Sequence, residues 1–91
     1  MKITLKLIGI LQEIIKEEEF IFPENSIRVK QLFKFLVDRY GSIIEKHLLP
    51  EDSKSHYAVL VNGQNIQLAK NLMTELRDGD RVVVLPFLPG G

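Results

Sequence analysis

The sequence predicts an α+β domain in which one principal helix covers one face of a small sheet. Three observations carry that expectation. At the amino end, Ile3, Leu5 and Leu7 alternate with Lys2, Thr4 and Lys6. One strong helical stripe follows, formed by Val29, Leu32, Phe33, Leu36 and Tyr40. Two more strand-like runs, Tyr57 to Val61 and Arg81 to Leu85, come after it. A period of two marks a half-buried strand, and a period near 3.6 marks an amphipathic helix. A single helix shields only one face of a sheet, so the other face must meet water, a loop or a partner.

The elements are justified in order. Gly9 interrupts the first strand, and Ile10, Leu11, Ile14 and Ile15 repeat at helical spacing, which predicts a short helix. Glu17-Glu18-Glu19 reads as a solvated turn. Phe20-Ile21-Phe22 reads as a short second strand ended by Pro23. The main helix runs from Val29 to Tyr40, with Lys30, Lys34 and Asp38 facing away from its stripe. Its cap lies at Ser26 or Arg28, and Gly41 is placed to close it in the left-handed conformation. Ile43 to Leu49 suits a second short helix, and residues 50–55 are a loop by composition.

Tyr57 to Val61 is apolar on both faces, which predicts a strand inside the sheet. Asn62-Gly63 is a tight-turn signal, and Ile66 and Leu68 suit a brief strand or an ordered loop. Asp78-Gly79-Asp80 is a further turn, and the last strand runs from Arg81 to Leu85, where Pro86 ends it. On that strand Arg81, Val83 and Leu85 share the outer face, while Val82 and Val84 point inward. Val83 and Leu85 then have no cover within the chain, and Phe87 and Leu88 follow beyond the sheet. Such residues either fold back on the body or form a docking surface for another protein.

Composition narrows the function. The 91 residues make one domain, and 45% are hydrophobic and 26% charged, as in an ordinary soluble globular protein. Twelve Lys and Arg balance twelve Asp and Glu, without the basic surplus of a general nucleic-acid binder. No apolar run has the length of a membrane helix, and the amino end lacks a signal-peptide layout, so no membrane partner and a cytoplasmic location are expected. There is no cysteine, which excludes disulfides, thiolate metal sites and a cysteine nucleophile. His47 and His56 are the only histidines, too few for a zinc site, so no metal is expected. No phosphate-binding glycine motif occurs, and Ser53 and Ser55 beside His56 do not make a triad.

The sequence closes on Gly90-Gly91, read as the carboxyl end. A frayed end is the plain reading of two terminal glycines. The functional reading rests on shape. Two residues without Cβ form a thin thread that fits a channel any side chain would block. Its one reactive group is the Gly91 α-carboxylate, which an ATP-using partner could convert to an acyl-adenylate. Pro86 and Pro89 stiffen the lead-in and lower the entropy lost on threading.

Val61-Asn62-Gly63, then Leu76-Arg77-Asp78-Gly79-Asp80-Arg81-Val82, then Pro86 and the closing Gly90-Gly91 together resemble the MoaD/ThiS family of sulfur carriers. The tail, Leu85 through Gly91, is most similar to the MoaD branch, the small subunit of molybdopterin synthase. The resemblance implies a β-grasp, or ubiquitin-like, fold over residues 1–91, with a mixed sheet of four to five strands on one main helix and a flexible tail at 86–91. It implies that an E1-like adenylyltransferase, using ATP, activates Gly91. A sulfur donor such as a cysteine desulfurase or rhodanese then leaves a thiocarboxylate. The tail would enter the large subunit of molybdopterin synthase and pass sulfur to precursor Z, forming the dithiolene of the molybdenum or tungsten cofactor. On this reading Gly91 is the reactive residue, and Gly90 and Pro89 thread the channel. Val83, Leu85, Pro86, Phe87 and Leu88 bind the partner. The chain binds no cofactor of its own and is not catalytic alone.

The sequence departs from the family pattern in places. Arg28 stands where a small capping residue is usual, Gln12-Glu13 stands for Arg-Glu, and Leu85-Pro86-Phe87 stands where MoaD chains often carry Phe-Phe-Pro-Pro. The alternatives are a ubiquitin-like modifier joined through Gly91 to lysines, and a ThiS-like carrier for thiamine thiazole synthesis. A plain binding module that ends in two glycines is the fourth reading.

Overall fold

The alternation at the amino end becomes an alternation of burial: Ile3, Leu5 and Leu7 are buried, while Lys2 and Lys6 face water. The computed structural model describes residues 1–16, 18–48, 57–66 and 72–86. Glu17, Leu49, the loop at 50–55, His56, Leu68 and the tail residues Phe87, Leu88, Pro89, Gly90 and Gly91 lie outside the described residues. In chain order the elements are β1 (Lys2–Leu7), α1 (Leu11–Ile14), β2 (Glu19–Ile21), β3 (Ser26–Arg28), α2 (Val29–Tyr40), α3 (Ser42–Leu48), β4 (Tyr57–Val61), β5 (Gln64–Ile66), β6 (Glu75–Arg77) and β7 (Arg81–Pro86).

The main sheet has the order β2-β1-β7-β4-β5. β1 and β7 run parallel, and every other neighbouring pair is antiparallel. The sheet is therefore mixed, with β7 at its centre and β4 beside it. Its inner face contributes Ile3, Leu5, Leu7, Phe20, Val59, Val82 and Val84 to one core. The α2 stripe of Val29, Leu32, Phe33 and Leu36 is buried in the same core. Burying each such side chain contributes about 1.5–3 kcal/mol, which holds the helix on one face only. Phe35 adds edge-on ring contacts with Phe20 and Phe22, at 5.7 and 5.1 Å between centroids.

Four features differ from the sequence expectation. The strand expected at Phe20–Phe22 is Glu19–Ile21, yet Phe22 stays tied down, because its N–H donates to the Met1 carbonyl at 2.9 Å. β3 and β6 form a second, two-stranded sheet that the sequence pattern did not reveal, with Ile27 opposite Leu76. Gly41 has φ +100° but ψ −177°, so it is not in the left-handed helical region. Its N–H closes α2 by donating to the Val37 carbonyl, and its own carbonyl accepts the Ile44 N–H at the start of α3. Pro86, expected to end the strand, is instead the last residue of β7 and is paired with Tyr57.

The structure also accounts for arginine at the cap of α2. The first helical amides need acceptors, commonly a short polar side chain at the cap. Here the Val29 and Lys30 N–H groups donate to the carbonyls of Thr74 and Leu72, at 2.9 and 2.8 Å. Arg28 Nη1 donates to the Met73 carbonyl at 2.8 Å, and the Arg28 N–H donates to Gln31 Oε1 at 2.7 Å. The turn leading into β6 thus supplies the cap, and a small residue at position 28 is not required.

Candidate functional site

β7 carries the geometry that matters. Its inner residues Val82 and Val84 are fully buried, Arg81 is exposed, and Val83 and Leu85 are half-buried on the outer face. The antiparallel register sets Leu60 opposite Val83 and Ala58 opposite Leu85. On the other side, the parallel register sets Lys6 beside Val83. The Ile8 N–H donates to the Val84 carbonyl at 2.9 Å and carries that ladder one step further. Ile8, 41% exposed, then lies beside Leu85. Residues directly across a ladder share a face. The outer face therefore has an apolar strip of Ile8, Val83, Leu85, Leu60 and Ala58, flanked by the exposed cations Lys6 and Arg81.

Val83 and Leu85 stand where the sequence placed them. Leu60 and Ala58 were missed as surface residues, although the double-sided apolar pattern of Tyr57 to Val61 was their signal. Ile8 was missed because it follows the last alternating residue of β1.

The opposite end of β7 is held by two turns clasped together. Asn62 sits at φ +51°, a conformation asparagine tolerates better than most residues. Its Nδ2 donates to Asp80 Oδ1 at 3.0 Å, and its Oδ1 accepts the Arg81 N–H at 2.9 Å. Asp80 Oδ2 in turn accepts the Arg77 N–H at 2.8 Å. Asp78 Oδ1 accepts the Lys2 N–H at 2.7 Å, and the Gly79 N–H donates to the Lys2 carbonyl at 2.8 Å. The two glycine-containing turns singled out in the sequence are structural. They fix where β7 starts against β1 and β4, and so fix which residue stands at its far end.

At that far end Pro86 pairs with Tyr57. Tyr57 O–H and His47 Nδ1 lie 3.4 Å apart, with the rings edge to face at 5.7 Å. Among the described residues, no three of His, Asp and Glu gather as a metal site. Among them too, no helix is long and apolar enough to cross a membrane.

Clasped turns at one end of β7 and an apolar strip leading to its other end are a scaffold for whatever follows Pro86. The model of the ThiS family matches residues 5–91, the closing glycines included. The chain belongs to the ThiS family. Family membership makes it one of the ubiquitin-like sulfur carriers, and its mixed sheet on one main helix is the β-grasp of that group. A candidate sulfur carrier protein of Archaeoglobus fulgidus is 32% identical over 78 residues, which is 85% of this chain and 89% of the relative. Among solved structures, a candidate molybdopterin converting factor subunit 1 from Pyrococcus furiosus superposes with a TM-score of 0.73 at 26% identity. That match covers 96% of this ThiS-family chain and 98% of the other. The small archaeal modifier protein 1 of Methanosarcina acetivorans superposes with a TM-score of 0.70 at 27% identity, covering 99% and 96% of the two chains.

Proposed function

We propose that this chain is a sulfur carrier that acts as the small subunit of molybdopterin synthase, with the Gly91 carboxylate as its reactive group. The carrying observation is the family match that runs through Gly90-Gly91, on a domain with no cysteine to hold sulfur otherwise. A carboxylate is a poor electrophile. Attack by its oxygen on the α-phosphorus of ATP, in an adenylating partner, releases pyrophosphate and leaves a mixed anhydride. The persulfide of a sulfur-donor partner then displaces AMP to give an acyl disulfide. A second thiol on a partner attacks its outer sulfur, is itself left in a disulfide, and releases the thiocarboxylate. Its sulfur is polarizable and ionised at neutral pH, and so is a good nucleophile toward a pterin precursor such as precursor Z. The base and cation groups for these steps belong to the partners.

The outer face supports the reading. Val83 and Leu85, with Leu60, Ala58 and Ile8, offer an apolar strip continuous with Pro86, Phe87 and Leu88 in sequence. A partner that covers this strip aims the tail into its own active site, while Pro89 and Gly90 give the last residues a narrow profile. Likeness to the Pyrococcus protein favours the molybdopterin branch. Likeness to the Methanosarcina modifier favours a second reading, in which the activated Gly91 carboxylate forms isopeptide bonds with lysines.

Intact mass of the protein purified from its native host tests the proposal. A gain equal to one oxygen-to-sulfur exchange at the carboxyl end supports the carrier. Host lysines carrying the Val82–Gly91 remnant that trypsin leaves after Arg81, with no such gain, support the modifier instead.

A further inference from the structure

Gly9 is held to glycine by two independent features of the fold. Its φ is +93°, a conformation that L side chains rarely adopt. A Cβ built there would stand 2.9 Å from Pro86 Cγ, closer than real Cβ contacts come, and 3.5 Å from Pro86 Cδ, an ordinary contact. Other positive-φ glycines, Gly41, Gly63 and Gly79, would meet nothing within 4 Å. Gly9 alone of these four is required by its neighbour as well as by its backbone.

That neighbour is the root of the tail. The Ile8 N–H donates to the Val84 carbonyl. In a parallel ladder the Ile8 carbonyl would next accept an N–H from residue 86. Proline has none. The ladder between β1 and β7 thus stops at Pro86 by chemistry, and the proline ring lies against the bare Cα of Gly9 instead. On the β1 side residue 86 is held by shape. On its other side Tyr57 is its partner in β4.

We propose that Gly9 is a positioning residue for the tail: the missing side chain seats Pro86 against β1, and that seat sets the direction in which the chain leaves β7 toward Gly91. The inference rests on the reading of Gly91 as the reactive carboxylate. Gly91 lies five residues beyond Pro86, a span of at most about 17 Å, so the direction set at the root biases where the carboxylate is delivered. A misplacement of about 1 Å at a reacting group can cost two orders of magnitude in rate. Gly9 contributes no side chain to the outer-face strip, so docking is expected to be preserved while delivery of the carboxylate suffers.

The test uses the full chain as wild type, Gly9→Ala, Pro86→Ala and the double variant. ATP–pyrophosphate exchange by the host's adenylating enzyme gives kcat and KM for each carrier. Gly9→Ala is expected to lower kcat about tenfold, with KM for the carrier within about twofold of wild type. On the Pro86→Ala background, adding Gly9→Ala is expected to change kcat less than twofold, because the ring it would strike is gone. A purely structural role predicts the opposite, since positive φ at position 9 persists in the double variant. An equal loss on both backgrounds therefore overturns the proposal.

Residual dipolar couplings of the amides at 85, 87 and 88 read the exit direction itself in the same four proteins. A reorientation in Gly9→Ala that disappears on the Pro86→Ala background supports the proposal. Unchanged couplings in a folded Gly9→Ala overturn it. Wild type that supports no exchange at all refutes the reading of Gly91 instead, and the couplings still decide the role of Gly9. If Gly9→Ala does not fold, the double variant and Pro86→Ala carry the comparison, and a difference in their couplings overturns the proposal.

Discussion

Replacing Asn62 separates the two contributions it makes to the clasp at the start of β7. Asn62→Ala removes the Nδ2 donation to Asp80 and the acceptor of the Arg81 N–H. Both bonds are exposed and water can replace part of each, so they contribute about 0.5–1 kcal/mol apiece. Alanine at φ +51° also meets the steric penalty of the left-handed region, about 1 kcal/mol. The total is about 2–3 kcal/mol, which in a domain of this size lowers Tm by roughly 10–20 °C. Asn62→Gly loses the same two bonds without the steric term, so it should cost about 1 kcal/mol less than alanine. Thermal and urea denaturation at pH 7 measure both variants. Asn62→Ala within 0.5 kcal/mol of wild type would mean that the clasp contributes nothing. Glycine and alanine of equal cost would mean that the backbone conformation at Asn62 is irrelevant.

Other predictions follow from single contacts. Val83→Asp, on the half-buried outer face, should cost only about 1 kcal/mol of stability but weaken partner association at least tenfold, as measured by titration calorimetry. Gly79→Ala, at φ +86° with open space around a Cβ, should cost about 1 kcal/mol, and Gly9→Ala should cost more because it also strikes Pro86. The Glu75 carboxyl is held below its ordinary 4.5 by a hydrogen bond from the Ser26 side chain and by the Arg77 charge. A depressed carboxyl contributes stability above its unfolded pKa and loses it as pH falls through the folded value. Glu75→Gln should therefore flatten the decline of Tm below about pH 4.5 without moving Tm's slope near neutrality. Deleting Gly91 should abolish adenylation and leave the circular dichroism spectrum and Tm unchanged.

Much of the fold was legible in the sequence because its signals are local. The alternation in β1, the stripe of α2 and the inner and outer faces of β7 each follow from neighbours a few residues apart. The Asn62-Gly63 and Asp78-Gly79-Asp80 turns were legible for the same reason, though not the hydrogen bonds that clasp them together. β3 and β6 were not legible. Each is three residues long with one buried side chain, Ile27 and Leu76, too short to show a period of two. They exist because the chain brings two segments far apart in sequence together over the start of α2, where the strand entry also caps the helix. The same long-range origin hid the role of Gly9. In the sequence it marks an interruption of the first strand, and nothing local reports that Pro86 fills the space above it. Of the expected partner-binding residues, Val83 and Leu85 are on the outer face and Pro86 closes β7. The apolar strip between them needed the register of β4 against β7 before Leu60 and Ala58 could join it.

The central claim is that the chain carries sulfur on its own carboxyl end. Intact-mass spectrometry of the protein from sulfur-replete native cells tests it most directly, with a Gly91-deleted copy expressed beside it. The account predicts a population heavier by one oxygen-to-sulfur exchange, confined to the full-length chain and lost on alkaline hydrolysis. Only unmodified mass in the full-length chain, or the same gain in the copy that lacks Gly91, would contradict it.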